Sequence, residues 1–343
     1  MEIENGMNQQ IILKQRPSGT PNTDTFEWTK TPISAVQEGQ LLVKTLYLSV
    51  DPYMRGRMSD RKSYVPSYEL GKPIEGGVVG EVLESQSPDF HKGDFVLGGY
   101  GWQTYATVSA KTVRRIDPTL APLSTALGIL GMTGLTAYFG LLDIGRPQAG
   151  ETVVISGAAG AVGMVVGQIA KIKGAHVVGI AGSTKKIDYL INELGFDSAI
   201  SYKGDIPLHK ALATACPHGV DVYFDNVGGE ISDAVLRRLN KGARVPLCGQ
   251  ISSYNLEKPD IGVRPQTFLL INSALMQGFI VSDFAKRFPE GIKELAQWVN
   301  SKQLKSQETI IDGFDQTVNA FLGLFTGDNL GKQLVKVADP SHG

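Results

Sequence analysis

The chain has 343 residues, 42% of them hydrophobic and 20% charged, with a formal net charge of −1. That length suits two domains with sizeable cores, and a near-neutral chain without a basic stripe argues against a nucleic-acid partner. Cys216 and Cys248 are the two cysteines and stand 32 residues apart. They are too few for a disulfide framework or a four-thiolate zinc lobe, so the chain reads as cytosolic.

The opening MEIENGMNQQ is polar and has no apolar core, which excludes a signal peptide, and Met7 is a second candidate for the natural start. Residues 11 to about 115 are β-rich. Strands are expected at 41–48, 77–83, 95–97 and 105–108, with Gly and Pro between them. "HKGDFVLG" reads as a turn feeding a strand and "GWQTYATV" alternates like the next one, so this part resolves into a compact, partly open barrel. The uncharged stretches 118–142 and 152–170 are broken by Gly, Pro, Ser and Thr, and read as buried elements of a soluble fold rather than membrane spans.

The pattern changes near Ala121. Residues 124–141 are helix-like and apolar, interrupted at 131–134. From Glu151 strands and helices alternate strictly: strands at Thr152–Ser156, 175–181, 199–202, 220–225, 244–248 and 275–281, and helices at 162–173, 185–194, 206–215, 230–239 and 289–301. Near-continuous Val/Ile runs are what a parallel sheet buried on both faces requires. The tail offers a helix at 314–325 and a strand at 333–337. The fold class expected is α/β, a Rossmann doubly wound parallel sheet with a separate β-barrel domain.

"TVVISGAAGAVGMVVGQIAKIKGA" carries the sharpest local signal. Gly157, Gly160 and Gly163 lie three apart between a buried strand and a helix. The first permits a tight turn, the second lets the backbone approach a pyrophosphate, and the third lets helix and strand pack closely. The first spacing is wider than in G-x-G-x-x-G, and a purely structural turn is the competing reading. The end of the following strand separates the dinucleotides. NAD sites usually carry Asp or Glu there, whereas here Gly182 and Ser183 occupy the position and Lys185 and Lys186 follow. No carboxylate repels a 2′-phosphate and two ammonium groups can attract one, which favours NADP(H) over a merely solvated helix start.

Zinc alcohol dehydrogenases of this two-domain plan need Cys, His and carboxylate ligands early in the chain. "YLSVDPYMRGRM" and "GKPIEGGVVGEV" contain neither Cys nor His, and His91, His176, His209, His218 and His342 form no metal-ligand spacing, so no metal is expected. Tyr254 and Lys258 have the Tyr-x-x-x-Lys spacing of short-chain dehydrogenases, but Pro259 follows at once and points to a loop. Without a metal, tyrosine hydroxyls and backbone N–H groups must manage charge on a carbonyl oxygen, which suits hydride addition to a conjugated double bond through an enolate.

The motifs "LSVDPYMRGRM", "GMTGLTAYFGLL", "GAAGAVGMVVGQIAKIKG", "FDNVGGE", "LCGQISSYN" and "GDNLGKQLVKV" together resemble the medium-chain dehydrogenase/reductase superfamily, and within it the zinc-free group of prostaglandin reductases, plant alkenal double-bond reductases and bacterial curcumin reductases. The resemblance runs over essentially the whole chain. It implies a GroES-like substrate domain over 1–127, completed by 309–343, and a Rossmann NADP-binding domain over 128–308. It also implies NADPH-dependent reduction of the C=C bond of enals and enones, with a homodimer common in the group.

Residue by residue, the resemblance places the pyrophosphate on Ala159, Gly160, Ala161 and Val162, next to the packing glycine Gly163, and the 2′-phosphate on Lys186, with Tyr202 nearby and Ser183, from the strand-end reading, at the same corner. Asn226 lies along the cofactor. Cys248, Gly249, Ile251, Ser252 and Tyr254 form the loop over the nicotinamide half, Phe279, Ile280 and Val281 give backbone contacts, and Asn329 reaches over from the C-terminal segment. Tyr254 is the implied proton donor or enolate stabiliser and Tyr53 a pocket residue; both can equally be packing residues with satisfied hydroxyls. Met132 and Thr133 are candidates for nicotinamide contact or for core. A quinone reductase of the same fold and a non-catalytic NADPH-binding module are the competing functions.

Overall fold

A computed structural model describes residues 6–341; His342 and the segment ahead of Gly6 lie outside the described residues. The chain divides into two compact units, one of Met1–Leu127, Thr309–Asn329 and Gln333–Gly343, the other of Gly128–Glu308 and Leu330–Lys332.

In the first unit β1 (Met7–Leu13) pairs antiparallel with β2 (Phe26–Pro32). The ten-residue β3 (Gln40–Ser49) leads directly to the short helix α1 (Met54–Arg57). It pairs antiparallel with β4 (Val78–Ser85) and with β6 (Tyr105–Ser109), and β4 passes the sheet on through β5 (Phe95–Gly98) to β7 (Arg114–Ile116). Leu41, Val43, Leu46 and Leu48 of β3 are completely buried, which explains why this strand reads as an apolar run rather than an alternation.

The second unit opens with α2 (Met132–Phe139) and then alternates: β8 (Thr152–Ser156), α3 (Gly163–Ile172), β9 (His176–Ala181), α4 (Thr184–Asp188), β10 (Ser198–Ser201), α5 (Leu208–Ala215), β11 (Val220–Phe224), α6 (Gly229–Leu236), β12 (Leu239–Leu247), α7 (Pro265–Asn272), β13 (Leu275–Gly278) and α8 (Phe288–Asn300). The six strands are parallel in the order β10-β9-β8-β11-β12-β13, the doubly wound arrangement whose direction of growth reverses between β8 and β11. Successive residues of β8 serve opposite layers. Val153 and Ile155 pack with Phe139, Val166, Ile169 and Leu295 of α2, α3 and α8, while Val154 packs with Leu212, Val235 and Leu236 of α5 and α6.

The chain then returns through β14 (Glu308–Asp312), α9 (Thr317–Thr326) and β15 (Lys332–Lys336). Leu334 to Lys336 pair antiparallel with β3, and Phe321 of α9 meets Trp102 edge-on at 5.6 Å within the first unit's core.

Four expected elements shift. The interruption placed at 131–134 falls instead just ahead of α2, which runs through Gly134; a Cβ there would lie 1.9 Å from the Ile129 carbonyl oxygen, so this glycine serves close packing and not a break. The helix placed at 230–239 ends at Leu236 because Leu239 already pairs with Val220 as the first residue of β12. The strand placed at 275–281 stops at Gly278, and Val281 begins a 3-10 turn. The loop expected around Pro259 ends at α7, whose Pro265 sits at the first helical turn where its missing N–H costs nothing. Among the described residues no helix is long and apolar enough to cross a membrane.

Candidate cofactor and active site

Parallel strands bring their carboxyl ends to one edge, and in this unit the singled-out segments other than Met132 and Thr133 follow such an end. The glycine turn follows β8, Gly182 and Ser183 follow β9, Tyr202 follows β10, Asn226 follows β11 by one residue, Cys248 follows β12, and Phe279 follows β13. The reversal point, between β8 and β11, places the glycine turn beside Asn226.

Gly157 takes the left-handed conformation, φ +59°, that lets the chain leave β8 in a tight turn closed by a 3.0 Å bond from the Gly160 N–H to its carbonyl. A Cβ on Gly163 would stand 2.4 Å from the Gly157 oxygen and 2.8 Å from the Ala158 Cα, so α3 starts in direct contact with the turn. A Cβ on Gly160 would meet only that oxygen, at 3.2 Å. Val162 offers no side-chain cap, and among the described residues the N–H groups of Ala161 and Val162 find no backbone acceptor. Uncapped amides at the positive end of a ten-residue helix make an anion site that fits a pyrophosphate. Gly331 straps this turn: its N–H donates to the Ala159 carbonyl at 2.9 Å, and it bridges Gly160 in parallel register.

A second cluster forms at the ends of β9 and β10. Ser183 caps α4, its hydroxyl accepting the Lys186 N–H at 3.4 Å. The Tyr202 ring lies over Gly182, where a Cβ would come within 2.8 Å of the phenol oxygen, and Lys203 Nζ sits 5.6 Å from that ring. A hydroxyl, an aromatic face and a lysine thus gather where an acidic residue would stand in an NAD site, and they suit a phosphate on an adenosine ribose.

The Asn226 and Tyr254 segments are zipped to each other. Asn226 binds the end of β8 through its N–H to Ser156 Oγ at 2.9 Å and its Nδ2 to the Ser156 carbonyl at 2.8 Å. Ser252 donates to the Val227 carbonyl through both its N–H, at 3.0 Å, and its Oγ, at 2.6 Å. Gly228 and Gly229 have φ of +73° and +57°, and a Cβ on Gly229 would reach 2.9 Å from Ser252 Oγ, so the DNVGG pair is needed for loop conformation and close approach alike. The Tyr254 phenol oxygen accepts the Gln250 N–H at 3.2 Å, which fixes the half-buried ring under its own loop. Burial, with the charge of Asp225, pushes the Cys248 thiol up to about 12, so it faces the loop as a neutral group. Phe279 is buried against Phe224, with ring centroids 6.2 Å apart, and the Ile280 N–H donates to Asp283 at 3.3 Å, which fixes the path into Val281. Thr133 is buried, with its hydroxyl on the Gly128 carbonyl at 3.0 Å, while Met132 is exposed.

Tyr53 and Asn329 belong to the first unit. Tyr53 lies between β3 and α1 and packs on the core around Met54 and Met58; burial first, and the Asp51 charge second, hold its phenol protonated. Tyr254 and Lys258 share no helix: a 3-10 turn ends at Ser253 and the chain is irregular beyond it. Among the described residues no group of three or more His, Cys, Asp or Glu side chains is placed to hold a metal ion. Residue patterns alone do not single out Ser156, Asp225 or Gly331, although a polar residue at or just past the end of each of the two central strands is a readable signal.

Two family models match the chain, one described as the N-terminal domain of oxidoreductase over residues 9–116 and one as zinc-binding dehydrogenase over residues 161–298. A Bacillus subtilis protein named as an NADP-dependent oxidoreductase is 60% identical over 97% of this chain and 98% of its own. The NADPH-dependent curcumin reductase of Escherichia coli is 43% identical, covering 96% and 97%, and the NADP-dependent 2-alkenal reductase of Nicotiana tabacum is 42% identical, covering 96% and 98%. Among solved structures, Vibrio vulnificus CurA in complex with NADPH superposes with a TM-score of 0.92 at 41% identity, over 97% of this chain and 100% of the other.

Proposed function

The chain belongs to the curcumin, alkenal and prostaglandin reductase group of the medium-chain dehydrogenases/reductases, and from that premise we propose that it reduces the C=C bond of α,β-unsaturated aldehydes and ketones with NADPH. The observation that carries the proposal is the single sheet edge on which an uncapped helix N-terminus, a corner of Gly182, Ser183 and Tyr202 and the Tyr254 loop lie together. NADPH, when bound, supplies the hydride for the substrate's β-carbon.

The chain's own residues do the rest. The turn from Ala159 to Gly163 holds the pyrophosphate, with the Ala161 and Val162 N–H groups as donors, and Ser183, Lys186 and Tyr202 hold the 2′-phosphate. Asn226, the loop from Cys248 through Gly249, Ile251 and Ser252, and the backbone of Phe279 to Val281 orient the nicotinamide half. Tyr254 hydrogen-bonds the carbonyl oxygen as it gains charge and then donates its phenol proton. The Gln250 N–H that the phenol oxygen accepts orients the hydroxyl for that role. The roles of Tyr53 toward substrate and of Asn329 toward cofactor rest on the family resemblance. Zinc has no part in the proposed reaction.

We further propose a cytosolic homodimer. Free Cys216 and Cys248 suit a reducing compartment, and Leu270 and Ile271 on α7, 81% and 71% exposed, suit burial against a second copy. An NADPH-oxidation screen over alkenals, enones, dienones and quinones tests the activity. The proposal requires kcat/KM for enals or enones to exceed that for quinones; the reverse order, or the failure of every acceptor to support NADPH oxidation, rejects it.

A further inference from the structure

β11 is fully buried through Val222, Tyr223 and Phe224, and the next residue, Asp225, is 1% exposed. A carboxylate buried at the reversal point of the sheet is unfavourable unless its oxygens are bonded, and these are. Oδ1 accepts the Tyr223 hydroxyl at 2.9 Å, Ser156 Oγ at 3.1 Å, the Val227 N–H at 3.1 Å and the Gly228 N–H at 2.9 Å; Oδ2 accepts Ser232 Oγ at 2.7 Å. Gly228 is the N-cap of α6, so the charge also sits at that helix's positive end. Burial, then the nearby Asp225 charge, raises the Tyr223 phenol far above its ordinary range and keeps it a donor.

The backbone of the same residue reaches the third strand. The Asp225 N–H donates to the Pro246 carbonyl at 3.0 Å, and its own carbonyl accepts the N–H groups of Cys248 and Gly249 at 2.9 and 3.1 Å. Ser156 relays the contact, since the hydroxyl bound to Asp225 also accepts the Asn226 N–H. One residue therefore ties the ends of β8, β11 and β12 together. None of these bonds reaches the Ser183, Lys186 and Tyr202 corner.

We infer that Asp225 is a positioning residue, whose carboxylate sets the Asn226 loop against the glycine turn and, through the Val227 backbone to which Ser252 is bonded, the Tyr254 loop as well, and so fixes the nicotinamide half of the cofactor site while leaving the adenosine half alone. The inference rests on the NADPH reading above but not on the nature of the electron acceptor. Its signature is a split between ligands. In full-length Asp225→Asn, the Kd for 2′,5′-ADP stays within about twofold of wild type, the Kd for NADPH weakens by about tenfold, and single-turnover hydride transfer falls by about 100-fold, the scale of a reacting group displaced by roughly 1 Å. Ser232→Ala, which removes the one donor to Oδ2 among the described residues, shows the same split at smaller size, and it carries the test if Asp225→Asn does not fold. Equal weakening of both ligands, or no change in either, overturns the inference. Wild-type protein that binds NADPH but reduces no enal or enone rejects the proposed reaction instead, and the two Kd values still decide the role of Asp225.

Discussion

Gly160 and Gly163 lie three residues apart in one turn, yet the structure assigns them different physical jobs, and alanine separates the two. At Gly163 the new methyl would stand 2.4 Å from one backbone atom and 2.8 Å from another, neither of which can rotate away. Restoring contact distance needs a displacement of roughly 1 Å between turn and helix, an overpacking cost of about 2 kcal/mol that lowers the Tm of the ligand-free protein by roughly 4–8 °C. At Gly160 the methyl would meet one carbonyl oxygen at 3.2 Å, and Gly160 is not among the positive-φ glycines. The ligand-free Tm should then fall by no more than about 2 °C. If the open side of Gly160 is where pyrophosphate lies, the same methyl weakens NADPH by about 10- to 100-fold, or roughly 1.4–2.8 kcal/mol. Thermal unfolding without ligand and fluorescence titration with NADPH measure the two effects. A Gly160→Ala protein less stable than Gly163→Ala, or one with wild-type NADPH affinity, would refute the assignment.

Lys186→Glu should weaken NADPH by about 10- to 100-fold and NADH by no more than about threefold; equal losses on both, read from initial rates, would remove Lys186 from the 2′-phosphate site. Tyr254→Phe should lower kcat on a good enone by about 100-fold with little change in NADPH affinity, and full kcat in the variant would discard the proton-donor role. Burial pushes the Cys216 thiol to about 11 and, with Asp225 adding to it, Cys248 to about 12. Both then stay protonated near pH 8, and mass spectrometry after exposure to iodoacetamide should find them unmodified in the folded protein; labelling at the rate of the unfolded chain would contradict this. Because both folded pKa values lie above the unfolded value of about 8.5, their contribution to stability is complete below that pH and is lost as pH rises toward 11 to 12, so the Tm should decline across that alkaline interval.

The second unit was more legible than the first because its signals are local. Thr152–Ser156 is apolar at every step but its ends and is bounded by Gly150 and Gly157, so its position follows from the chain itself. α7 was not legible, since Phe268 to Ile271 show no polar face and two of the four are exposed, which hides helical periodicity. β14 was missed for a related reason: five residues with a mixed burial pattern become a strand only by pairing beside β15. Gly134 misled because glycine in a helix signals either a break or a close contact, and only the Ile129 carbonyl against it decides which. In the site, Ser183, Lys186, Asn226 and Tyr254 stand out by type and motif. Asp225 does not, because its importance lies in five donors drawn from residues 156 to 232, a convergence that spacing along a chain cannot display.

Transfer from (4R)- or (4S)-deuterated NADPH to a conjugated enal, with the product's label located by NMR, tests the central claim most directly. Reduction of the C=C bond yields a saturated aldehyde with deuterium on the former β-carbon from one of the two labelled cofactors. Deuterium on the carbonyl carbon, in an alcohol that keeps its double bond, would contradict it.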